Sequence, residues 1–271
     1  MAIIVVTGST RGIGLGLVKA FRARGHSVMI SSRGAAAVDA AVAEVSAAPG
    51  SGDVIGHACD VSDRDQVQAL WDAAFAKWGS VDIWINNVGV SGPKRTLPHL
   101  TRADIDPVIA TNIWGMIWGT QVPLAGMTAQ GSGKIFNFEG FGSDGMTAPG
   151  LTIYGLTKRA LTYFTKSVNK EIKGSPVLLG TISPGIVITD LLEESMDEDP
   201  EAVAKTRRIY NILADRVETV APWIADQVLA VNRAGAAIKW LTTGKAARRF
   251  LANLVRKRDV MGGLGDEFRR T

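Results

Sequence analysis

Short runs that are apolar at nearly every position recur along the first 190 residues, separated by longer amphipathic stretches. Ile3–Val6, Ser27–Ser31, Val54–His57, Val81–Asn86, Lys134–Phe138 and Val177–Ile182 read as strands. Between them, a stretch through Leu15–Phe21 closed by Gly25, then Ala35–Ala47, Val67–Trp78, Ala103–Leu124 and Tyr154–Lys173, reads as helices. A strand with no polar face must be covered on both sides, and helices between strands supply that cover. The pattern predicts an α/β fold with a doubly wound parallel sheet. Ligands of such sheets bind outside the carboxyl ends of the strands.

The length of 271 residues suits one domain, and no low-complexity linker or internal repeat divides it. After residue 190 the pattern changes. An acidic segment, Glu193–Glu201, precedes a helical stretch at Ala202–Leu213, and 190–220 is read as a lid over a substrate or as a solvated helix start. Residues 232–271 are read as a basic, helical C-terminal extension. The stretch from Asn232 onward holds ten Lys/Arg against three Asp/Glu, whereas the rest of the chain carries a net −3. Basicity confined to one tail argues against nucleic acid as a partner, which calls for a broad basic face. Cys59 is the single cysteine, so an internal disulfide and a multi-cysteine zinc site are excluded. His26, His57 and His99 have no metal-ligand spacing, and no metal is expected. No secretory signal pattern and no run of about 18 apolar residues is found, so a cytoplasmic protein is expected.

Thr7-Gly8-Ser9-Thr10-Arg11-Gly12-Ile13-Gly14 lies between the first strand and the first helix. Glycines there allow a tight turn and let a pyrophosphate approach the N-terminus of the helix, whose free N–H groups and dipole favour an anion. The Gly-x3-Gly-x-Gly spacing resembles the cofactor motif of the short-chain dehydrogenase/reductase family. Further motifs follow in that family's order: Asp60-Val61, Asn86-Asn87-Val88-Gly89, Asn112, Tyr154-x3-Lys158, and Ser183-Pro184-Gly185-Ile186-Val187-Ile188-Thr189. The resemblance covers about residues 3–190 and implies a Rossmann-type oxidoreductase. It assigns cofactor contacts to residues 8–14, Asp60, Val61, Asn87, Gly89, Tyr154, Lys158, Pro184, Gly185, Val187 and Thr189. It assigns catalysis to Tyr154 and Lys158, with Asn112 holding a relay water. Tyr154 and Lys158 share a helix face at i and i+4, and a nearby cation is expected to lower the phenol's pKa from about 10.

The family's usual serine, 13 residues before the tyrosine, is replaced by Phe141. Ser143 is the nearest hydroxyl and is expected to polarise the substrate oxygen; the competing expectation is a plain turn residue. The stretch Asn137–Gly145, together with residues 183–192 and 235–242, resembles the chlorophyll b reductase branch, which reduces a formyl group to a hydroxymethyl. The implied activity is an NADPH-dependent carbonyl reductase acting on chlorophyll b or a similarly bulky apolar substrate. A generic alcohol dehydrogenase on steroid, sugar or acyl substrates, or a cofactor-binding protein of weak catalysis, are the alternatives. NADPH is expected over NADH because Arg11 and Arg33, with no acid after the second strand, suit a 2′-phosphate. The resemblance also implies a homo-oligomer, a dimer or tetramer. In Lys245–Arg258, apolar residues at helical spacing are ringed by cations. Such a stripe is expected to serve as core or subunit contact, and peripheral contact with an anionic membrane is the alternative.

Overall fold

The computed structural model describes residues 1–189 and 200–261. Seven parallel strands form one sheet in the order β3-β2-β1-β4-β5-β6-β9. They are β1 (Ile3–Thr7), β2 (Ser27–Ser32), β3 (Val54–Ala58), β4 (Ile83–Asn86), β5 (Gly133–Phe138), β6 (Val177–Ser183) and β9 (Ala237–Lys239). β1 pairs with β2 on one side and β4 on the other, so the strand order reverses at β1. That reversal opens a crevice at the carboxyl ends of β1 and β4.

Alternate strand residues feed two cores. Ile4, Val6, Ile30, Ile85, Phe136 and Ile182 pack on one face with α1 (Gly12–Ala23) and the helix Val217–Ala230. Val5, Met29, Trp84, Ile135 and Leu179 pack on the other with α3 (Arg64–Trp78) and α5 (Gly115–Gln130). α2 (Ala35–Ala47) covers the β2–β3 side.

The expected long helix at 103–124 is longer and less regular. α4 (Arg102–Ile109) continues through one π-type turn at Ala110–Trp114 into α5, which ends at Gly131 in the left-handed region. Pro123 does not break α5. Its missing N–H would have bonded the Gly119 carbonyl, and the Asn86 side chain donates to that oxygen instead, at 2.8 Å. α6 (Thr152–Glu171) follows β5. Of the segment expected as a lid, 190–199 lies outside the described residues. Residues 200–213 form α7 (Pro200–Leu213), and β7 (Val187–Ile188) and β8 (Asp215–Arg216) make a small second sheet before α8 (Val217–Ala230).

The C-terminal extension contains α9 (Thr243–Val255), fastened by one buried carboxylate. Asp215 accepts from Trp240 Nε1 (2.6 Å), Arg249 (2.7 Å) and Arg258 (2.9 Å). The two arginines also donate to the carbonyls of Leu213, Ile212 and Ala214.

Candidate active site

The Gly-rich turn is a cradle only glycine can build. Gly8 and Gly12 have φ of +64° and +55°. A Cβ at Gly14 would lie 2.3 Å from the Gly8 carbonyl oxygen. Arg11, at the cap position of α1, offers no side-chain cap, and the first turn carries no acid. The helix therefore presents its first N–H groups uncapped by any side chain of this turn, the arrangement that binds a phosphate. Ser9 plays a different part from the ligand contact expected of it. Its hydroxyl donates to the Val6 carbonyl (2.6 Å) and accepts from Ser31 N–H (3.0 Å), tying the turn to β2.

Asn87, just past β4, reaches across the crevice to the carbonyls of Thr7 (3.0 Å) and Gly8 (2.9 Å). Behind it, Asn86 donates to Asn137 (2.8 Å), and Asn137 donates to Thr165 on α6 (3.0 Å). This buried chain of amides pins the carboxyl ends of β4 and β5 to the helices on that side. Nothing in the spacing of Asn137 or Thr165 announces it, but two in-register asparagines at strand ends are its one sequence trace.

Tyr154 stands in the first turn of α6, and Lys158 one turn later is 5 % exposed. The Lys158 ammonium donates to the Phe138 carbonyl at 3.1 Å and lies 5.7 Å from the centre of the Tyr154 ring. Burial pushes the Tyr154 phenol up to about 12 and pulls Lys158 down to about 8, the latter opposed by the charge of Glu139. The expected lowering of the tyrosine by the lysine is thus overturned: desolvation wins while the cation is turned toward the end of β5.

The residue lying against the Tyr154 hydroxyl is Gly140, where a Cβ would be 2.4 Å from the phenolic oxygen. Counting back from the tyrosine does not find this position; the glycine directly after the strand Lys134–Phe138 and Glu139 is the only hint. Ser143 is buried, and its hydroxyl donates to the Lys158 carbonyl (3.3 Å) and accepts from Gly140 N–H (3.1 Å). Its single proton is turned to the α6 backbone, so this geometry gives Ser143 the place that holds the loop to the helix, the turn-residue expectation.

Asn112 sits in the π-type turn. Its amide exchanges hydrogen bonds with Val90 N–H and carbonyl, both 2.9 Å, and donates to Thr157 Oγ1 at 3.0 Å. Thr157 in turn donates to the Tyr154 carbonyl at 2.7 Å. The side chain therefore ties the loop after β4 to α6, with one lone pair of Oδ1 beyond the bond from Val90. Gly89 lies over the lysine, its Cβ position 3.3 Å from Lys158 Nζ.

The remaining expected contacts ring the same crevice. Gly185 has φ +71° and packs on Leu241, which brings Thr189 against Gly12. Val187 lies in β7 just upstream, and Pro184 opens the segment directly after β6. Asp60, after β3, accepts from Ser62 N–H (2.9 Å) and hydroxyl (2.7 Å), while Val61 is buried against Gly115. Arg33 is exposed at the end of β2, and Thr10 is half-buried in the cradle. A dinucleotide fits these residues: a phosphate cradle at β1, an acid after β3, and the Tyr154–Lys158 pair after β5.

The sequence profile of the family described as short chain dehydrogenase matches residues 2–200. The chain is 34 % identical over 270 residues to "Probable chlorophyll(ide) b reductase NYC1, chloroplastic" of Arabidopsis thaliana, covering 94 % of this chain and 53 % of that one. It therefore spans about half the length of that relative. It is 34 % identical over 261 residues to "Chlorophyll(ide) b reductase NOL, chloroplastic" of Oryza sativa subsp. japonica, covering 93 % of this chain and 74 % of that one. The crystal structure of levodione reductase superposes with a TM-score of 0.78 at 23 % identity, covering 91 % and 98 % of the two chains, which shows the shared fold. The profile match over most of the chain, with the glycine cradle and the Tyr154–Lys158 pair in place, makes this chain a member of the short-chain dehydrogenase/reductase family of oxidoreductases.

Proposed function

We propose that this protein is an NADPH-dependent carbonyl reductase whose substrate is the formyl group of chlorophyll b or a similarly bulky apolar carbonyl. The observation that carries the reading is the phenol of Tyr154 beside the buried Lys158, 5.7 Å from ammonium to ring centre, on the same carboxyl edge of the sheet as the glycine cradle that opens α1. The 34 % identity to two chlorophyll(ide) b reductases supports the substrate. Arg33, with no acid in Ser31-Ser32-Arg33-Gly34, supports a 2′-phosphate partner.

The cofactor, when bound, supplies the hydride. The residues of the cradle hold its pyrophosphate, and Asp60 and Arg33 lie where the strand ends meet an adenosine half. Tyr154 holds a proton at its phenolic oxygen for the carbonyl oxygen of a substrate beside it. The Lys158 cation stabilises the phenolate left when that proton goes. Gly140 leaves the phenolic oxygen uncrowded on the side of β5. In this reading the chain works as a homo-oligomer, since Leu156 and Tyr163 on α6 are large and exposed.

Incubation with chlorophyll b or chlorophyllide b and NADPH, followed by the absorption change as the conjugated formyl group is reduced, tests the reading. Turnover that is lost in Tyr154→Phe with NADPH binding retained is the expected result. NADPH binding without reduction across these and simpler bulky aldehydes would favour the weakly catalytic alternative. Reduction of a steroid or acyl ketone alone would replace the substrate and keep the chemistry.

A further inference from the structure

Helix α9 is amphipathic in the wrong direction for a helix that stabilises its own domain. Its polar side faces inward: Arg249 reaches the Leu213 carbonyl and Asp215, and Asn253 Oδ1 accepts from Arg258 N–H. Its apolar side faces outward. Ala247, Phe250, Leu251, Leu254 and Val255 follow i, i+3, i+4, i+7, i+8 and so form one stripe. Phe250 is 47 %, Leu251 68 %, Leu254 82 % and Val255 94 % exposed. No residue of the helix is buried. The expectation of a core stripe is overturned, because the anchor on Asp215 fixes the rotation of the helix.

The charges around the stripe have one sign. From Thr242 to Arg258 there are six Lys/Arg and no Asp/Glu. Arg249 and Arg258 pair with Asp215, and Lys245 lies 3.0 Å from the centre of the Trp240 ring. Arg248, Arg256 and Lys257 are exposed, and no carboxylate among the described residues pairs with them. A second copy of the chain docked by this stripe would set these cations against their own images, which is unfavourable in an isologous contact. An exposed apolar stripe flanked by cations that no carboxylate among the described residues pairs with matches an anionic bilayer surface, which accepts the stripe between its headgroups.

We propose that α9 is an interfacial helix that lays Phe250, Leu251, Leu254 and Val255 into an anionic lipid surface, with Arg248, Arg256 and Lys257 at the headgroups. The reading is independent of the substrate. Among the described residues no helix is long and apolar enough to cross a membrane, so the contact is peripheral. A bilayer surface would also bring a membrane-held apolar substrate to the same molecule.

The test is co-sedimentation of the full chain with vesicles of phosphatidylcholine alone and of phosphatidylcholine with phosphatidylglycerol. Three headgroup cations predict on the order of 10²-fold stronger partition to the anionic vesicles. Leu251→Glu/Leu254→Glu is expected to reduce that partition at least about tenfold. Arg256→Glu/Lys257→Glu is expected to remove most of the preference for anionic lipid. Circular dichroism and NADPH titration verify that both variants are folded. A folded wild-type chain that ignores anionic vesicles, or binds neutral ones equally, overturns the proposal. So does sedimentation equilibrium in which Leu251→Glu/Leu254→Glu splits an oligomer, because a second copy then covers the stripe.

Discussion

Gly140→Ala adds a single methyl group at the place where the site is tightest. The new Cβ would lie 2.4 Å from the Tyr154 oxygen, 3.1 Å from Lys158 Cε and 3.2 Å from Tyr154 Cζ. Carbon–oxygen contacts relax to well over 3 Å, so the phenolic oxygen or the loop must move by about 1 Å. The loop has little freedom: Gly140 N–H is held by Ser143, and Gly142, at φ +95°, lies so close to α6 that a Cβ there would meet Gly155 Cα at 2.6 Å. The ring of Tyr154 is the part that gives. A displacement of about 1 Å at a reacting group costs on the order of 10²-fold in kcat, which is about 2.7 kcal/mol of barrier. Overpacking adds a loss of about 1–3 kcal/mol in stability. The assay is steady-state reduction of a bulky aldehyde with NADPH, alongside fluorescence titration of NADPH, whose Kd is expected within about threefold of wild type because the cradle is untouched. Gly155→Ala is the matched control: it lies in α6 with nothing within 4 Å of its Cβ position, so it gains up to about 1 kcal/mol of helix stability. A Gly140→Ala enzyme that turns over at the wild-type rate would refute the placement of Gly140 against the catalytic hydroxyl.

Ser143→Ala removes the hydroxyl that joins Gly140 N–H to the Lys158 carbonyl, so it is expected to cost about 1–3 kcal/mol in urea unfolding and less than tenfold in kcat; an unchanged unfolding curve with a 10²–10³-fold loss of kcat would show that the hydroxyl meets substrate. Arg33→Asp is expected to raise the Kd for NADPH at least about tenfold and to leave NADH unaffected or improved, since a carboxylate repels a 2′-phosphate; an unchanged cofactor ratio in paired titrations argues against that contact. Lys158→Met is expected to abolish turnover yet stabilise the fold at neutral pH. The folded lysine releases its proton near 8 and the unfolded one near 10.5, so burying the charge costs ~3 kcal/mol below pH 8, and that cost fades as pH rises toward 10.5. Unfolding at pH 7 and pH 9.5 should show the gap between variant and wild type shrinking with pH, and a gap that widens would contradict the sign.

Six of the seven strands of the main sheet were legible: the central ones, such as β1 and β4, are buried at every position, a pattern that a covered parallel sheet satisfies, while the edge strand β3, with no residue fully buried, showed only as a short apolar start. β9 was not: three residues with a single buried side chain, Ile238, give no periodic signal. The helix after β4 was legible in its existence but not in its middle. A reading at 3.6 residues per turn has no place for the π-type turn at Ala110–Trp114, and the Asn86 donor that lets the helix run on past Pro123, 33 residues upstream of Gly119, leaves no local signal. The glycine cradle, Tyr154 and Lys158 were legible because their spacing is local to one turn or one helix. Ser143 and Gly140 were not, since counting residues back from Tyr154 does not give the path of a loop with left-handed glycines at 142 and 145. The stripe on α9 was legible, but the side it turns outward depends on Asp215, 34 residues before Arg249.

The same burial that opposes the expected phenolate bears on the protonation state in which the site rests. A lysine one helical turn from a tyrosine suggests a lowered phenol, and that would serve a base taking a proton from an alcohol. In the folded site the ammonium points to the Phe138 carbonyl, and the phenol is desolvated to about 12. Ionising it there costs ~3 kcal/mol more than in water. A neutral phenol is what a carbonyl needs, because it carries the proton the product alcohol keeps. The raised tyrosine therefore makes the resting site ready to donate. Lys158, at about 8, still carries much of its charge at neutral pH, so a cation is at hand when the phenolate forms. The resting site thus holds the tyrosine in the form that donates a proton and the lysine in the form that stabilises the resulting phenolate, and by microscopic reversibility the same pair serves the reverse, alcohol-oxidising direction.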